Sequence, residues 1–169
     1  ATNDLKTGED LFPIALRQFE LSLDNFKNDI IVDSEKLGWC FLDWNLELNK
    51  QAGAQAIFIY CAKELVKICK LLGKDNNIVE DEIDRKSKSA LNTFFDNDLG
   101  LFVSGKDKQV SYASNVWFIL AGLVDKKQSR EILNKLKTTK NCIMPVTPYM
   151  YHHYVQALVN ADLYDEALD

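Results

Sequence analysis

From Lys50 to Leu72 apolar residues recur at helical spacing over a wide face (Ala52, Ala56, Ile59, Cys61, Leu65, Ile68), and Gly73 follows as a stop signal, so the pattern predicts a helix over 50–72. A second helix is predicted from Val79 to Phe95. Its start is acidic (Glu80, Asp81, Glu82) and Arg85, Lys86 and Lys88 come later, the order a helix dipole favours. Ser111 to Val124 is strongly apolar, Ser129 to Lys137 is amphipathic, and Pro148 to Asn160 is another largely apolar helix. Leu11 to Phe26 mixes helical and alternating spacing and is read as a helix. Ile30-Ile31-Val32 and Trp39-Cys40-Phe41 are short β-like runs around a polar turn at Asp33–Lys36, which predicts a small hairpin, and Leu99–Val103 reads as a short strand.

An internal recurrence organises these elements. Leu71-Leu72-Gly73-Lys74, Leu120-Ala121-Gly122-Leu123 and Leu158-Val159-Asn160-Ala161 each end an apolar helix, and each is followed by a polar connector and a more amphipathic helix. The unit is an αα-hairpin with one apolar inner helix and one half-solvated outer helix, repeated every 40–50 residues or so. An open helical solenoid and a closed toroid of hairpins both fit. The hairpins are separated by long, aromatic-bearing loops at 29–49, 97–110 and 139–147. In an up-and-down ring all of these fall at one end, which favours the toroid and makes that end the place to look for a site. The expected fold class is all-α: repeated αα-hairpins forming part of an (α/α)6 toroid, with short β-like loop segments, residues 1–169 being one partial domain.

Composition narrows the function. The 169 residues are 47% hydrophobic and 27% charged, an ordinary globular balance, and 7 Gly with 3 Pro are too few for an all-β sandwich. A net charge of −5, with lysines mixed among acids, argues against nucleic acid as a partner. The Lys135–Lys140 cluster is short and reads as a solvated helix end. No apolar run is long enough to suggest a membrane span. Cys40, Cys61, Cys69 and Cys142 form no C-x-x-C pair and no zinc-type spacing with His152 or His153. Cys61 and Cys69 read as small buried hydrophobes on the apolar face of one helix. The sequence begins with Ala1 and stops in what reads as the first turns of a helix, so a piece of a longer protein is expected.

The densest local chemistry is Leu37-Gly38-Trp39-Cys40-Phe41-Leu42-Asp43-Trp44. Two indoles flank one carboxylate directly before a long helix. A flat indole covers the apolar C–H face of a pyranose and a carboxylate accepts from its hydroxyls, a makeup suited to a sugar pocket. The same pattern also fits a packed turn, with Asp43 as a helix-start cap. Tyr149, Tyr151, His152, His153 and Tyr154 cluster near another helix start. The two histidines point about 100° apart and cannot face one metal. Tyr149 and one histidine, taken as His152, are candidates to line a sugar funnel, as are Tyr112 and Asn115 near the start of the 111–124 helix; Trp117 is read as core. No nucleophile–base pair, phosphate loop or metal motif appears, so no cofactor is expected.

The order of several stretches resembles the catalytic domain of the α-L-rhamnosidase-like glycoside hydrolases, which are six-hairpin α/α-toroid enzymes. Phe41-Leu42-Asp43-Trp44 is similar to the family's Gly-Asp-Trp segment, with Leu42 in place of the Gly. Ala62–Gly73 resembles its helix ending in Leu-Gly, and Ala90–Phe95 followed by Leu101-Phe102 resembles its next passage. Ser111-Tyr112-Ala113-Ser114 resembles its Thr-Ala-Gln-Ala stretch, and Tyr154–Leu168 the hairpin after it. The likeness covers about residues 37–169. It implies inverting hydrolysis of terminal α-L-rhamnosides, by a general acid and a general base about 6.5–9.5 Å apart. The family's acid motif, Cys-Pro-x-Arg-Asp-Glu-Arg, and its Trp-Glu base motif are both absent, so the catalytic residues are left unassigned, with Glu35 as an outside candidate for the acid.

The partners expected on this reading are a carbohydrate substrate, the remainder of a parent chain and, for the piece alone, other copies of itself, with no nucleic acid and no membrane. The cytoplasm and periplasm of a bacterium both remain open as compartments. The rival reading is a helical-repeat module that binds protein rather than sugar.

Overall fold

The computed structural model describes residues 4–38 and 40–168. Asp4 accepts from the Thr7 amide and hydroxyl, and so starts α1 (Leu5–Leu23) before the apolar spacing begins at Leu11. After α1 the chain reverses in a small hairpin, β1 (Phe26–Lys27) with β2 (Ile30–Ile31), pairing Phe26 with Ile31. Asn28 and Asp29 form its two-residue turn at φ 52° and 61°, the left-handed geometry that matches strand twist. The hairpin therefore precedes the expected one. Asp33–Lys36 is not its turn but holds a 3-10 helix (Ser34–Lys36), and Cys40-Phe41 is not a strand. Buried Gln55 ties this hairpin down: its Oε1 accepts from the Ile31 amide, and its Nε2 donates to the carbonyls of Asp29 and Lys86. Lys86, itself buried, pairs with Glu82 and Asp29 and lies 4.5 Å over the Phe26 ring.

α2 (Gln51–Leu71) and α3 (Asn77–Phe94) follow as a hairpin. Next comes a three-stranded sheet in the order β3 (Phe95–Asp96), β4 (Leu101–Ser104), β5 (Gln109–Val110). Register pairs Phe95 with Phe102 and Val103 with Val110. α4 (Tyr112–Leu120) is buried from Tyr112 through Ile119 and stops at Ala121-Gly122, four residues short of the expected end. α5 (Lys126–Thr138) is capped by Asp125, α6 (Pro148–Asn160) by Thr147 with Pro148 in its first turn, and α7 (Tyr164–Leu168) ends the described chain.

The inner helices α2, α4 and α6 pack in that order. α1 and α3 lie against α2, α5 against α4 and α6, and α7 against α6. Small residues permit the close approach. Gly53 on α2 faces Leu42 and the Ser114 backbone of α4, and any Cβ there would overlap the Leu42 side chain. At the other end of the same pair, Lys63 on α2 donates to the carbonyls of Ala121 (2.6 Å) and Gly122 (3.3 Å), where the α4 dipole is negative. Phe102 stacks on Phe118 at 3.7 Å between ring centres, with Phe94 and Phe95 edge-on to the pair, so sheet and helices share one core. Of the two cysteines expected in that core, Cys69 is buried but Cys61 is exposed, because it turns toward a groove between α1 and α2.

Candidate functional site

The segments that lead into α2, α4 and α6 meet at one end of the molecule. Asn49 donates its amide to Gln109 Oε1 (2.7 Å), and the Ser104 hydroxyl donates to Asn49 Oδ1 (2.7 Å). Ser111 and Ile143 form a parallel β-bridge, with the Tyr112 amide donating to the Ile143 carbonyl. Asp43, before α2, is bonded to Val146 and Thr147, before α6. The expectation that the long loops share one face holds.

Across this mouth runs a continuous row of rings. Trp44 meets Phe41 edge-on at 6.0 Å between ring centres, and Phe41 meets Tyr149 at 5.3 Å. Tyr149 meets His153 at 4.5 Å, His153 meets Trp117 at 4.4 Å, and Trp117 meets Tyr60 at 5.6 Å. The row descends from the solvent-exposed Trp44, with 76% of its surface free, to the buried Trp117, linking the loop before α2 to all three inner helices. Tyr149 and His153 are one helical turn apart, which puts both on the same face of α6.

Of the residues singled out from sequence, Trp44 and Tyr149 are brought together through Phe41. Asp43 lies beneath them, 4% exposed and fully engaged. Its Oδ1 accepts from the Thr147 hydroxyl (2.6 Å) and the Trp44 amide (2.9 Å), and its Oδ2 from the Val146 amide (2.8 Å). It caps no helix; it braces one loop on another. His152 is exposed and touches the row through His153, and His153 is the histidine that lies against Tyr149. Tyr112 and Asn115 are placed in the core rather than at the mouth, because α2, α5, α6 and β4 cover α4. Tyr112 packs edge-on to Tyr154 at 5.1 Å, and burial pushes its phenol up to about 12. Asn115 spends its amide on the backbone of Phe102 and Ser111. Trp39 lies outside the described residues. Sequence reasoning missed Phe41, His153 and Thr147, and the four-residue spacing of Tyr149 and His153 was the available signal for one of them.

Burial lowers the His153 pKa below its ordinary value, with His152 adding to the effect, and burial raises that of Tyr149. Both therefore favour their uncharged forms, which suits a platform for a neutral ligand. Glu35 is exposed beside a polar cavity of about 240 Å³ that Glu47, Asn49, Ser104, Asp107 and Gln109 also line. A larger, mainly apolar groove of about 550 Å³ lies between α1 and α2, and Phe41 sits in its wall. Among the described residues no group of three or more His, Cys, Asp or Glu side chains could hold a metal ion, and no helix is long and apolar enough to cross a membrane.

The fold is shared with part of two solved rhamnosidases. It superposes on a rhamnosidase from Klebsiella oxytoca with rhamnose bound at a TM-score of 0.92 and 34% identity, over 99% of this chain and 33% of that one. It also superposes on the GH78 family rhamnosidase of Bacillus sp. GL1 at a TM-score of 0.85 over 99% of this chain and 19% of that one; at 14% identity this likeness speaks for the fold alone. The chain thus spans about a third of the length of the first structure and about a fifth of the second. No protein-family model matches the sequence, and no curated protein matches it.

Proposed function

We propose that this chain is part of the catalytic domain of a glycoside hydrolase, a six-hairpin α/α toroid, that hydrolyses terminal α-L-rhamnosides with inversion. The observation that carries the reading is the superposition, at 34% identity and over 99% of the chain, on a rhamnosidase with rhamnose bound. The mouth supports it: Trp44 offers an exposed indole face, and Tyr149, on the other side of Phe41, carries a phenol able to bond to hydroxyls. Carbohydrate is accordingly the partner we assign.

The general acid and base are assigned to parts of the parent protein outside these 169 residues, since neither family motif occurs in them. The exposed carboxylate of Glu35 is the alternative acid. General acid–base groups contribute about 10² to 10⁴ each, so the chain by itself should show no turnover. The test is to incubate the chain, and a longer polypeptide carrying both motifs, with an aryl α-L-rhamnoside, and to follow the anomer of the released sugar by NMR. The longer form should release inverted rhamnose and the chain alone none. Release by the chain alone would overturn the assignment and promote Glu35. No release by either, with no binding of L-rhamnose, would overturn the rhamnosidase reading.

A further inference from the structure

We infer that Thr147 is a positioning residue for the aromatic platform: its hydroxyl, bonded to Asp43, fixes the loop that carries Phe41 and Trp44 against the helix that carries Tyr149 and His153. The inference rests on the carbohydrate reading only for the identity of the ligand.

Thr147 is 5% exposed and its oxygen works in both directions. It accepts from the Met150 amide (3.2 Å), which caps α6, and donates to Asp43 Oδ1 at 2.6 Å, a short bond of the charge-assisted kind. That same Oδ1 takes the Trp44 amide, while Oδ2 takes the Val146 amide. One carboxylate thus joins the peptide that orients Trp44 to the cap of α6. The two ends of the join lead into α2 and α6, each of which packs extensively on α4. Two hydrogen bonds from Thr147 and Val146 cross the mouth directly and hold the end of the loop that carries Phe41 and Trp44 to the start of α6, beside the Phe41–Tyr149 ring contact. A platform held within a fraction of an ångström binds more tightly than the same rings on a loose loop, since no ordering cost falls on the ligand.

The cap and the clamp are separable. Thr147→Ser keeps both. Thr147→Asp keeps a good cap acceptor for Met150 but, as a carboxylate, has no donor to give to Asp43. Thr147→Val removes both. In the chain as it stands, the Trp44 indole and Tyr149 ring resonances are followed by NMR in each variant, and L-rhamnose is titrated in parallel. Expected are wild-type resonances in Thr147→Ser, and displaced or broadened Trp44 and Tyr149 signals in Thr147→Asp, with rhamnose Kd raised about five- to tenfold. Trp44 and Tyr149 signals unchanged in Thr147→Asp would reduce Thr147 to a helix cap and overturn the inference, whether or not Thr147→Val folds. Wild-type chain that binds no L-rhamnose would count against the carbohydrate reading alone, because the ring resonances test the clamp without ligand.

Discussion

Asn115 and Phe102 exchange a pair of hydrogen bonds. The Phe102 amide donates to Asn115 Oδ1 at 2.8 Å, and Asn115 Nδ2 donates back to the Phe102 carbonyl at 2.9 Å. The side chain stands in for a neighbouring strand and stitches α4 to β4 with none of its surface exposed. Asn115→Leu would leave both backbone groups of Phe102 buried and unpaired, at about 1–3 kcal/mol each. Urea unfolding should show a loss of about 2–5 kcal/mol; an unchanged midpoint would refute the stitch.

Asp43 is held between three donors, so its replacement acts first on stability. Asp43→Asn puts an amide donor where an acceptor is needed and should cost about 2–3 kcal/mol. For a chain of this size that lowers Tm by about 4–12 °C. An unchanged Tm with weakened rhamnose binding would instead set the carboxylate directly against the sugar.

Trp44 makes the opposite case. Its indole is largely in solvent, so Trp44→Ala should shift stability by no more than about 0.5 kcal/mol. If the indole stacks on a sugar ring, affinity for L-rhamnose falls about two- to tenfold. Calorimetry and titration on the same sample check both, and a Tm loss without a binding loss would make Trp44 a packing residue.

His153 should give the chain a pH response. Its folded pKa lies below the ordinary 6.5, chiefly through burial, so the unfolded state takes up the proton first. The contribution of this group is complete above the unfolded value and is lost as pH falls through the folded one. Tm should therefore drop between about pH 7 and pH 5. His153→Phe keeps a ring against Trp117 and Tyr149 and should flatten the profile over that range; an identical profile would assign the slope to other groups.

Exposed apolar side chains mark two edges of the fold. Leu5, Leu11, Ile14 and Leu21 lie along α1, and Tyr151, Val155 and Val159 along α6. Apolar patches beyond a few hundred Å² drive association. Sedimentation of the chain should show self-association together with binding of a hydrophobic dye, and a monodisperse monomer that binds no dye would contradict it.

Where local chemistry decides an element, the sequence was legible. Thr147 and Pro148 fix the start of α6, and its bounds are the expected ones, Pro148–Asn160. α1 begins six residues earlier than its apolar spacing because Asp4 satisfies the first-turn donor at Thr7. The β1–β2 hairpin was missed because Phe26 fits a helix pattern equally well, and only the positive φ of Asn28 and Asp29 reveals the reversal. At the site, residue types were legible and partners were not. Trp44 and Tyr149 stood out as aromatics, yet the 108 positions from Phe41 to Tyr149 are closed by tertiary contacts, which periodicity does not encode. Asn115 lies near a helix start, as site residues often do, but that start is roofed by β4.

Gly53 and Lys63 lock α2 to α4 at both ends, one by removing a side chain and the other by supplying a charge to the end of the neighbouring helix. A pair pinned this way neither slides nor rotates to suit a new ligand. Change in what the mouth accepts is then confined to the loops before the inner helices, where insertions disturb little of the core. The scaffold is in that sense a fixed mount with interchangeable fittings, and laboratory evolution of altered ligand preference should accumulate substitutions at 37–49 and 139–147 while leaving residues 53 and 63 untouched.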